Sequence, residues 1–275
     1  MKGARGVVGV ALALIAGLWG DAARAGCDGL AEPCQISTGS YHISLPDDAQ
    51  KPVPVVMFLH GYGGSGAGTM KNRPMVEALL ARGYAVIAPD ATRRRNGNRS
   101  WVFYPGWEGR DEAAFLRDVM ADAGDRFGVS LQNTVLAGFS AGAFMVNYLA
   151  CEAPDDFAAY APVSGGFWRP QPERCVAPIR LFHTHGWSDR TVPLEGRYLG
   201  DKQFQQGDIY AGLELWRQTN GCDGHAPDRS WQDGEFLRRR WDCGVGGDIQ
   251  FTLFSGGHTL PKGWADQMLN WFEAG

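Results

Sequence analysis

The segment LAGFSAGAFM, residues 136–145, places one serine between two glycines, with apolar residues on both sides. Residues 138–142 match the pattern G-x-S-x-G, in which a tight turn between a strand and a helix presents a serine hydroxyl. The glycines give that turn room and let the helix pack closely. Residues 134–137 predict the incoming strand, and residues 141–150 predict the helix that leaves it. We therefore expect Ser140 to be a nucleophile; the structural alternative is a serine buried in a turn.

The pattern of apolar runs predicts an α/β fold. Six short apolar or β-branched runs stand out, and most of them are near-continuous rather than alternating: residues 53–59, 85–88, 134–137, 158–163, 179–182 and 249–254. Such runs are typical of parallel strands covered on both faces. Helical spacing separates them and is clearest over residues 111–127, where Asp111 and Glu112 suit the helix amino terminus and Gly128 ends the helix; residues 263–272 predict a last helix. Ligands of such sheets bind beyond the carboxyl ends of the strands.

Two further side chains are placed to activate Ser140. A serine needs a base within hydrogen-bond reach and a group that orients the base, and after a G-x-S-x-G turn the acid and then the histidine follow along the chain. Asp189 lies just beyond the run at residues 179–182, and His258 lies just beyond residues 249–254. We expect His258 to take the serine proton and Asp189 to fix the tautomer of His258. A capping aspartate and a loop histidine are the structural alternatives.

Other histidines are weaker candidates for a catalytic base or a metal ligand. His225 is a second candidate base, although it lies in a segment that we expect to be a surface excursion. His183 and His185 could suggest a metal pair, but the spacing supplies no third ligand. His185 is better suited to holding the loop that carries Asp189. We therefore expect no metal and no cofactor.

Two backbone N–H groups are candidates to stabilise a tetrahedral oxyanion. One belongs to Ala141, the residue after the serine, and the second should come from the loop after the first long strand. That loop contains HGYGG, residues 60–64, and we expect the donor to be Tyr62. A phosphate cradle is the alternative for a glycine-rich stretch, but the pattern G-x-x-x-x-G-K-[ST] is missing.

Length and charge limit the possible classes of protein. The chain has 275 residues and a formal net charge of −4, which suits one large domain over residues 26–275 and predicts neither nucleic acid nor an anionic membrane as a partner. The basic runs at residues 93–95 and 238–240 are expected to be solvated loop charge, with contact to an anionic ligand as the alternative.

The first 25 residues resemble a signal peptide. Lys2 and Arg5 precede an apolar stretch at residues 7–19, and Ala23-Arg24-Ala25 fits a cleavage site. The stretch is too short to span a bilayer comfortably, so no stable membrane span is expected. These features predict a secreted or periplasmic protein. Lipid anchoring at Cys27 is a weaker alternative, because Arg24 stands where a lipobox favours leucine.

Six cysteines follow the expected cleavage site, and export to an oxidising compartment predicts three disulfides. Fifteen pairings are possible from sequence. The nearest-neighbour set is favoured because each bridge closes a short loop: Cys27–Cys34, Cys151–Cys175 and Cys222–Cys243. Residues 26–45 are then a tied-down strand region. Residues 221–247, which lack periodicity, are expected to be a surface excursion held by a disulfide.

Four separated motifs resemble those of a known group. LHGYGG (59–64), GFSAGA (138–143), HGWSD (185–189) with Val192-Pro193 after it, and GGHT (256–259) are similar to motifs of secreted esterases of the polyhydroxybutyrate depolymerase and feruloyl esterase type, in the α/β-hydrolase superfamily. The resemblance covers residues 41–272. It implies a serine carboxylic-ester hydrolase with the three proposed side chains as a triad, and it makes Cys151 and the segment 220–222 similar to disulfide sites of that group.

The resemblance leaves the substrate open between hydroxyalkanoates and feruloylated or acetylated saccharides. Leu260 stands where that group often has tryptophan, the loop 93–107 is long, and no polymer-binding domain follows, which favours soluble oligomers or aromatic esters. Four tryptophans near the expected rim are candidate substrate contacts, with plain packing as the alternative: Trp101, Trp107, Trp168 and Trp187. Other functions that stay open are a short-chain or acetylxylan esterase, a peptidase or acyltransferase, and a non-catalytic carbohydrate-binding module.

Overall fold

A ten-stranded sheet forms the centre of the molecule in a computed structural model that describes residues 1, 27, 32–244 and 246–275. The predicted signal peptide lies outside the described residues except for Met1. The strands follow the chain as β1 (Cys34–Ile36), β2 (Gly39–Ser44), β3 (Val53–Leu59), β4 (Ala85–Pro89), β5 (Thr92–Arg93), β6 (Arg99–Ser100), β7 (Val129–Phe139), β8 (Ala159–Val163), β9 (Trp168–Arg169), β10 (Arg180–Gly186), β11 (Arg197–Leu199), β12 (Phe204–Gln206), β13 (Arg229–Asp233), β14 (Phe236–Asp242) and β15 (Asp248–Phe254).

The strand order of the main sheet is β1-β2-β4-β3-β7-β8-β10-β15-β14-β13. The central neighbours from β4 to β15 pair in parallel, whereas both edges pair antiparallel. Each predicted apolar run is a central parallel strand, so the expectation of an α/β fold with a mostly parallel sheet is confirmed. Parallel strands bring their carboxyl ends to one edge, where the loops after β3, β7, β10 and β15 meet.

In the described part of the chain, six α-helices cover the sheet: α1 (Gly66–Met70), α2 (Arg73–Ala81), α3 (Glu112–Phe127), α4 (Ala141–Glu152), α5 (Ile209–Asn220) and α6 (Trp264–Glu273). Helix α3 begins as predicted, because the Asp111 side chain accepts a hydrogen bond from the Ala114 N–H, and it ends at Gly128 in the left-handed conformation. Helices α4 and α6 also fall where the sequence predicted them.

The core lies on both faces of the sheet, and alternate residues of β3 show the division. Val55 and Met57 pack into one cluster with α3, α4 and α5. Val56 and Phe58 pack into the other cluster with α2 and α6. Because strand side chains alternate in direction, a strand covered on both faces must be apolar throughout, as β3 is.

The expectation for residues 221–247 was wrong in one respect. The segment is held by Cys222–Cys243, but it also forms the hairpin β13–β14, which extends the sheet beyond β15. Its strands are mostly exposed and rich in arginine, so the apolar periodicity that marks a strand is missing.

The other two bridges join Cys27 to Cys34 and Cys151 to Cys175, and these are the nearest-neighbour pairs. Among the described residues, none of the helices combines the length and the apolar character needed to cross a bilayer.

Candidate active site

Ser140 occupies a strained turn between β7 and α4. Its φ is 56° and its ψ is −116°, and a positive φ of this kind costs a non-glycine residue free energy. The neighbouring glycines are needed for packing: a Cβ on Gly142 would lie 2.1 Å from the Leu59 carbonyl oxygen, and one on Gly138 would lie 2.6 Å from the backbone of Gly142. The helix can therefore start directly against β3 only when both positions are glycine.

Three strand ends bring a hydroxyl, an imidazole and a carboxylate into contact. The His258 Nε2 atom lies 2.9 Å from the Ser140 Oγ atom. The His258 Nδ1 atom lies 2.7 Å from the Asp189 Oδ2 atom. These distances suit a serine that donates to Nε2 and an Nδ1–H that donates to the carboxylate. The structure thus places the three predicted residues together, although they lie far apart in the sequence.

The Asp189 carboxylate is fixed by its own loop. The N–H groups of Thr191 and Val192 both donate to Oδ1, each at 2.8 Å. Burial alone would raise the pKa of Asp189, but the hydrogen bonds from His258 and from the Val192 N–H outweigh burial and lower the pKa below its ordinary value. Asp189 is therefore ionised and can stabilise a positive charge on His258.

Two buried histidines support the loop that carries Asp189. The Val192 carbonyl can only accept, so the His185 Nε2–H donates to it at 2.8 Å, and the free Nδ1 of His185 faces the Nε2 of His183 at 3.3 Å. Burial lowers the pKa of both imidazoles, that of His183 well below its ordinary value. Both are neutral, and their hydrogen bonds support the loop that carries Asp189.

The two expected oxyanion donors come from different segments: Tyr62 lies in the loop after β3, and Ala141 is the first residue of α4. The N–H groups of Tyr62 and Ala141 make no hydrogen bond with the described part of the chain. His60 holds this loop: it accepts from the Ala91 N–H at 3.1 Å, so its Nδ1–H donates to the Gly61 carbonyl at 2.7 Å. A Cβ on Gly61 would lie 3.3 Å from the Ser140 Cβ, so this loop passes directly beside the serine.

A cavity of about 420 Å³ opens beside Ser140 and Ala141. Besides Tyr62, four aromatic residues line it and form an aromatic wall: Phe103, Trp107, Phe144 and Trp168. Neighbouring rings among them lie with centroids 5.0–5.9 Å apart, in stacked, tilted and edge-to-face arrangements. Such a wall suits an apolar or aromatic group larger than an acetyl group.

The four tryptophans named from the sequence divide into two groups. Trp107 and Trp168 line the cavity. The expectation of substrate contact fails for Trp101, which is 0% exposed and donates its indole N–H to the His60 carbonyl at 2.8 Å, so it supports the oxyanion loop. Trp187 is 59% exposed and does not line the cavity.

His225 is outside the site. Its exposed side chain contacts Glu214 and Arg217 on α5, not the serine or the aspartate. Across the described ranges, no group of three or more His, Cys, Asp or Glu side chains could hold a metal ion.

Several residues that line the cavity were not predicted as site residues from the sequence, among them Arg94, Phe103, Phe144 and Arg197. The sequence predicts that the run at residues 93–95 is solvated charge, and only the alternative prediction, contact with an anionic ligand, points to Arg94. Phe144 follows the serine by one helical turn, a spacing that could have indicated a side chain on the same face. No sequence signal marked Phe103 or Arg197.

Comparisons with known proteins agree with this geometry. The sequence profile of a family described as the alpha/beta hydrolase fold matches residues 54–200. Feruloyl esterase B from Piromyces equi is 25% identical over 229 residues, which is 78% of this chain and 41% of that protein. Poly(3-hydroxyoctanoate) depolymerase from Pseudomonas fluorescens is 28% identical over 200 residues, 68% of this chain and 62% of that protein. The chain thus spans less than two thirds of the length of either relative.

A solved structure supports the same fold. The Bacillus cereus carboxylesterase superimposes with a TM-score of 0.58 at 16% identity, covering 86% of this chain and 95% of that one. A similarity at this level of identity concerns the fold alone.

Proposed function

We propose that this chain, which belongs to the α/β-hydrolase fold family, is a serine carboxylic-ester hydrolase with Ser140, His258 and Asp189 as its catalytic residues. The observation that carries the proposal is the pair of contacts at His258, 2.9 Å to the serine oxygen and 2.7 Å to the carboxylate. An alcohol, a base and an orienting acid in this order are what acyl transfer through a serine requires.

In the first half-reaction, the Ser140 oxygen attacks the ester carbonyl carbon while its proton passes to Nε2 of His258. The carbonyl π bond becomes a negative oxygen in a tetrahedral intermediate, and the N–H groups of Tyr62 and Ala141 donate to that oxygen. The intermediate collapses and breaks the bond to the alcohol oxygen, which receives the proton from Nε2. The alcohol leaves, and the acyl group remains on the serine.

In the second half-reaction, water takes the place of the alcohol. His258 accepts one proton from water as the oxygen attacks the acyl carbon, and a second tetrahedral intermediate forms. Its collapse breaks the bond to the Ser140 oxygen, which regains the proton from Nε2. The carboxylic acid then leaves, and the enzyme returns to its starting state.

The substrate class that we propose is a hydroxyalkanoate oligomer or polyester, or an aromatic ester of the feruloyl type. Two observations support it: the relatives named above carry these activities in their names, and the aromatic wall of the cavity suits an apolar or aromatic acyl group.

We also propose that residues 26–275 form one exported catalytic domain. The leader-like sequence at residues 1–25 and the three disulfides support export, because such bridges persist in oxidising compartments. Amino-terminal sequencing of protein recovered from the periplasm or the medium is expected to begin at Gly26. Recovery of uncleaved protein from the cytoplasm alone would contradict export.

Replacement of the serine tests the activity. Ser140→Ala is expected to keep the fold and to lose hydrolysis of p-nitrophenyl butyrate by roughly 10⁵- to 10⁶-fold, since the nucleophile is gone. A fluorophosphonate probe should label the native chain at Ser140 and leave the alanine variant unlabelled. Turnover in the variant equal to that of the native chain would refute the assignment, and a labelled chain that hydrolyses only peptides or only transfers acyl groups would redirect it.

A further inference from the structure

Two arginines lie on the wall of the cavity that contains Ser140, and neither is neutralised. Arg94 and Arg197 both line the cavity, and its lining includes no aspartate or glutamate. Among the described residues, neither guanidinium has a carboxylate within 4 Å. The lining of this largely apolar cavity therefore carries two positive charges.

Two other arginines close to the same loops are paired. Arg99 lies 3.6 Å from the Asp90 carboxylate, and Arg110 makes two hydrogen bonds to Glu112. The other two arginines of the run at residues 93–95 are also unpaired within the described ranges, but they are exposed and do not line the cavity. Charges left unpaired beside apolar rings are costly, and a bound anion would offset that cost.

The Arg94 guanidinium is fixed in place but keeps N–H donors free to bind a ligand. One of its terminal nitrogens donates to the Trp101 carbonyl at 2.9 Å, and the guanidinium lies over the Trp107 ring, 4.9 Å from the centroid. A guanidinium has five N–H donors, and this hydrogen bond uses one of them. The stacking and the hydrogen bond fix the plane of the group, so little conformational entropy is lost when it binds an anion.

The Arg197 side chain is also held by a hydrogen bond. It pairs with Gln206 across strands β11 and β12, and its Nε–H donates to the Gln206 side-chain oxygen at 3.2 Å. Its terminal nitrogens make no hydrogen bond with the described part of the chain. Arg197 is exposed, so its charge is screened more by solvent than the partly buried charge of Arg94.

We propose that the natural substrate is an ester that carries a carboxylate, and that Arg94 and Arg197 bind this carboxylate while the aromatic wall holds the chain. The inference rests on the proposed ester hydrolysis at Ser140 and narrows its substrate class. The carboxylate has two possible sources: the acyl chain of a dicarboxylic half-ester, or the alcohol part of a hydroxy-acid oligomer with a free acid end.

Matched pairs of esters test the inference. On the acyl side, 4-nitrophenyl hemiglutarate is compared with 4-nitrophenyl glutaramate, in which a neutral carboxamide replaces the carboxylate. On the alcohol side, 3-(butyryloxy)butyrate is compared with its carboxamide, and release of butyrate is followed by chromatography. The measured quantity is the ratio of kcat/KM for the acid to kcat/KM for the amide. We expect a ratio well above one in one arm, and that arm identifies the source.

Three variants distinguish a specific contact of the arginines with the substrate carboxylate from general electrostatic attraction. Arg94→Gln is expected to lower the ratio about tenfold, and Arg197→Gln about threefold because its charge is exposed. Arg95→Gln is the matched control: it removes the same charge from the same loop, but Arg95 is exposed and does not line the cavity, so the ratio should stay within about twofold. If Arg94→Gln does not fold, Arg197→Gln carries the test.

The outcomes are distinguishable. Ratios at or below one in both arms, with the amides hydrolysed, overturn the carboxylate proposal and leave ester hydrolysis standing. If Arg95→Gln lowers the acid-to-amide ratio as much as Arg94→Gln does, the carboxylate proposal is also overturned, because the effect would then be long-range electrostatic attraction. Failure to hydrolyse acids, amides and p-nitrophenyl butyrate alike overturns the proposed function itself.

Discussion

Replacement of Asp189 with asparagine should reverse the hydrogen-bond polarity at His258 while preserving the shape of the loop. In the native chain, Oδ1 accepts from the N–H groups of Thr191 and Val192 at 2.8 Å, and Oδ2 accepts from His258 at 2.7 Å. An asparagine must place its carbonyl oxygen where the two N–H groups point. Its amide nitrogen, a donor, is then forced to face Nδ1 of His258.

The consequence follows from the tautomer. Because Nδ1 must then accept, the imidazole carries its proton on Nε2, the atom that lies 2.9 Å from the Ser140 oxygen. That nitrogen can no longer remove the serine proton. The ionised partner that stabilised the imidazolium is lost as well. A wrong tautomer in a serine triad costs about 10⁴-fold in kcat, which corresponds to about 5 kcal/mol of transition-state stabilisation.

The assay is steady-state hydrolysis of p-nitrophenyl butyrate, with thermal unfolding of the same sample as the control for folding. We expect kcat to fall by about 10⁴-fold, and we expect the rate of fluorophosphonate labelling to fall in parallel. Asp189→Ala should lose activity too, but it also leaves the buried Val192 N–H and the partly buried Thr191 N–H without an acceptor and should unfold at a lower temperature. A folded asparagine variant that keeps more than about a hundredth of native kcat would refute the tautomer argument.

Two further predictions concern stability. Gly142→Ala should lower the free energy of unfolding by about 2 kcal/mol or more, because its Cβ would lie 2.1 Å from the Leu59 carbonyl oxygen. Gly212→Ala, a control within helix α5, should be neutral or stabilising, because its Cβ would make an ordinary contact with Phe167 at 3.5 Å. Equal unfolding midpoints of the two variants in urea would contradict this prediction. The free energy of unfolding should also fall as pH drops below 6.5, the ordinary histidine value, because burial lowers the pKa of His183 and His185 in the folded chain and the unfolded chain therefore takes up these protons at a higher pH. Urea titrations from about pH 8 to about pH 5 check the sign, and His183→Asn should flatten the curve.

The central strands could be predicted because both of their faces are covered. Strand β3 has the predicted bounds, Val53–Leu59, since every position in it is buried or nearly so. Strand β7 starts five residues before its predicted start, because Gln132 and Asn133 are exposed where the register with β3 shifts. The β13–β14 hairpin was missed for the same reason: an exposed edge has no apolar pattern to read.

The candidate triad could be predicted because chain order restricts it, whereas the substrate cavity could not. The serine, acid and histidine each follow a recognisable apolar run, so their meeting at one sheet edge follows from parallel pairing. The cavity wall combines segments that share no periodicity. Trp101 and Trp107 lie six residues apart in one loop, yet one indole is sealed beneath the oxyanion loop and the other faces the cavity. The path of the loop alone determines which indole is buried and which one faces the cavity.

Neutral buried imidazoles hold both loops that complete the site. His185 fixes the loop with Asp189 through the Val192 carbonyl, and His60 fixes the loop with Tyr62 through the Ala91 N–H and the Gly61 carbonyl. Burial lowers the pKa of each of these two histidines, so their tautomers persist at neutral pH. Their protonation on acidification would turn an acceptor nitrogen into a donor and disturb the acid and the oxyanion donors together. Loss of activity at low pH would then include loop rearrangement in addition to protonation of the base.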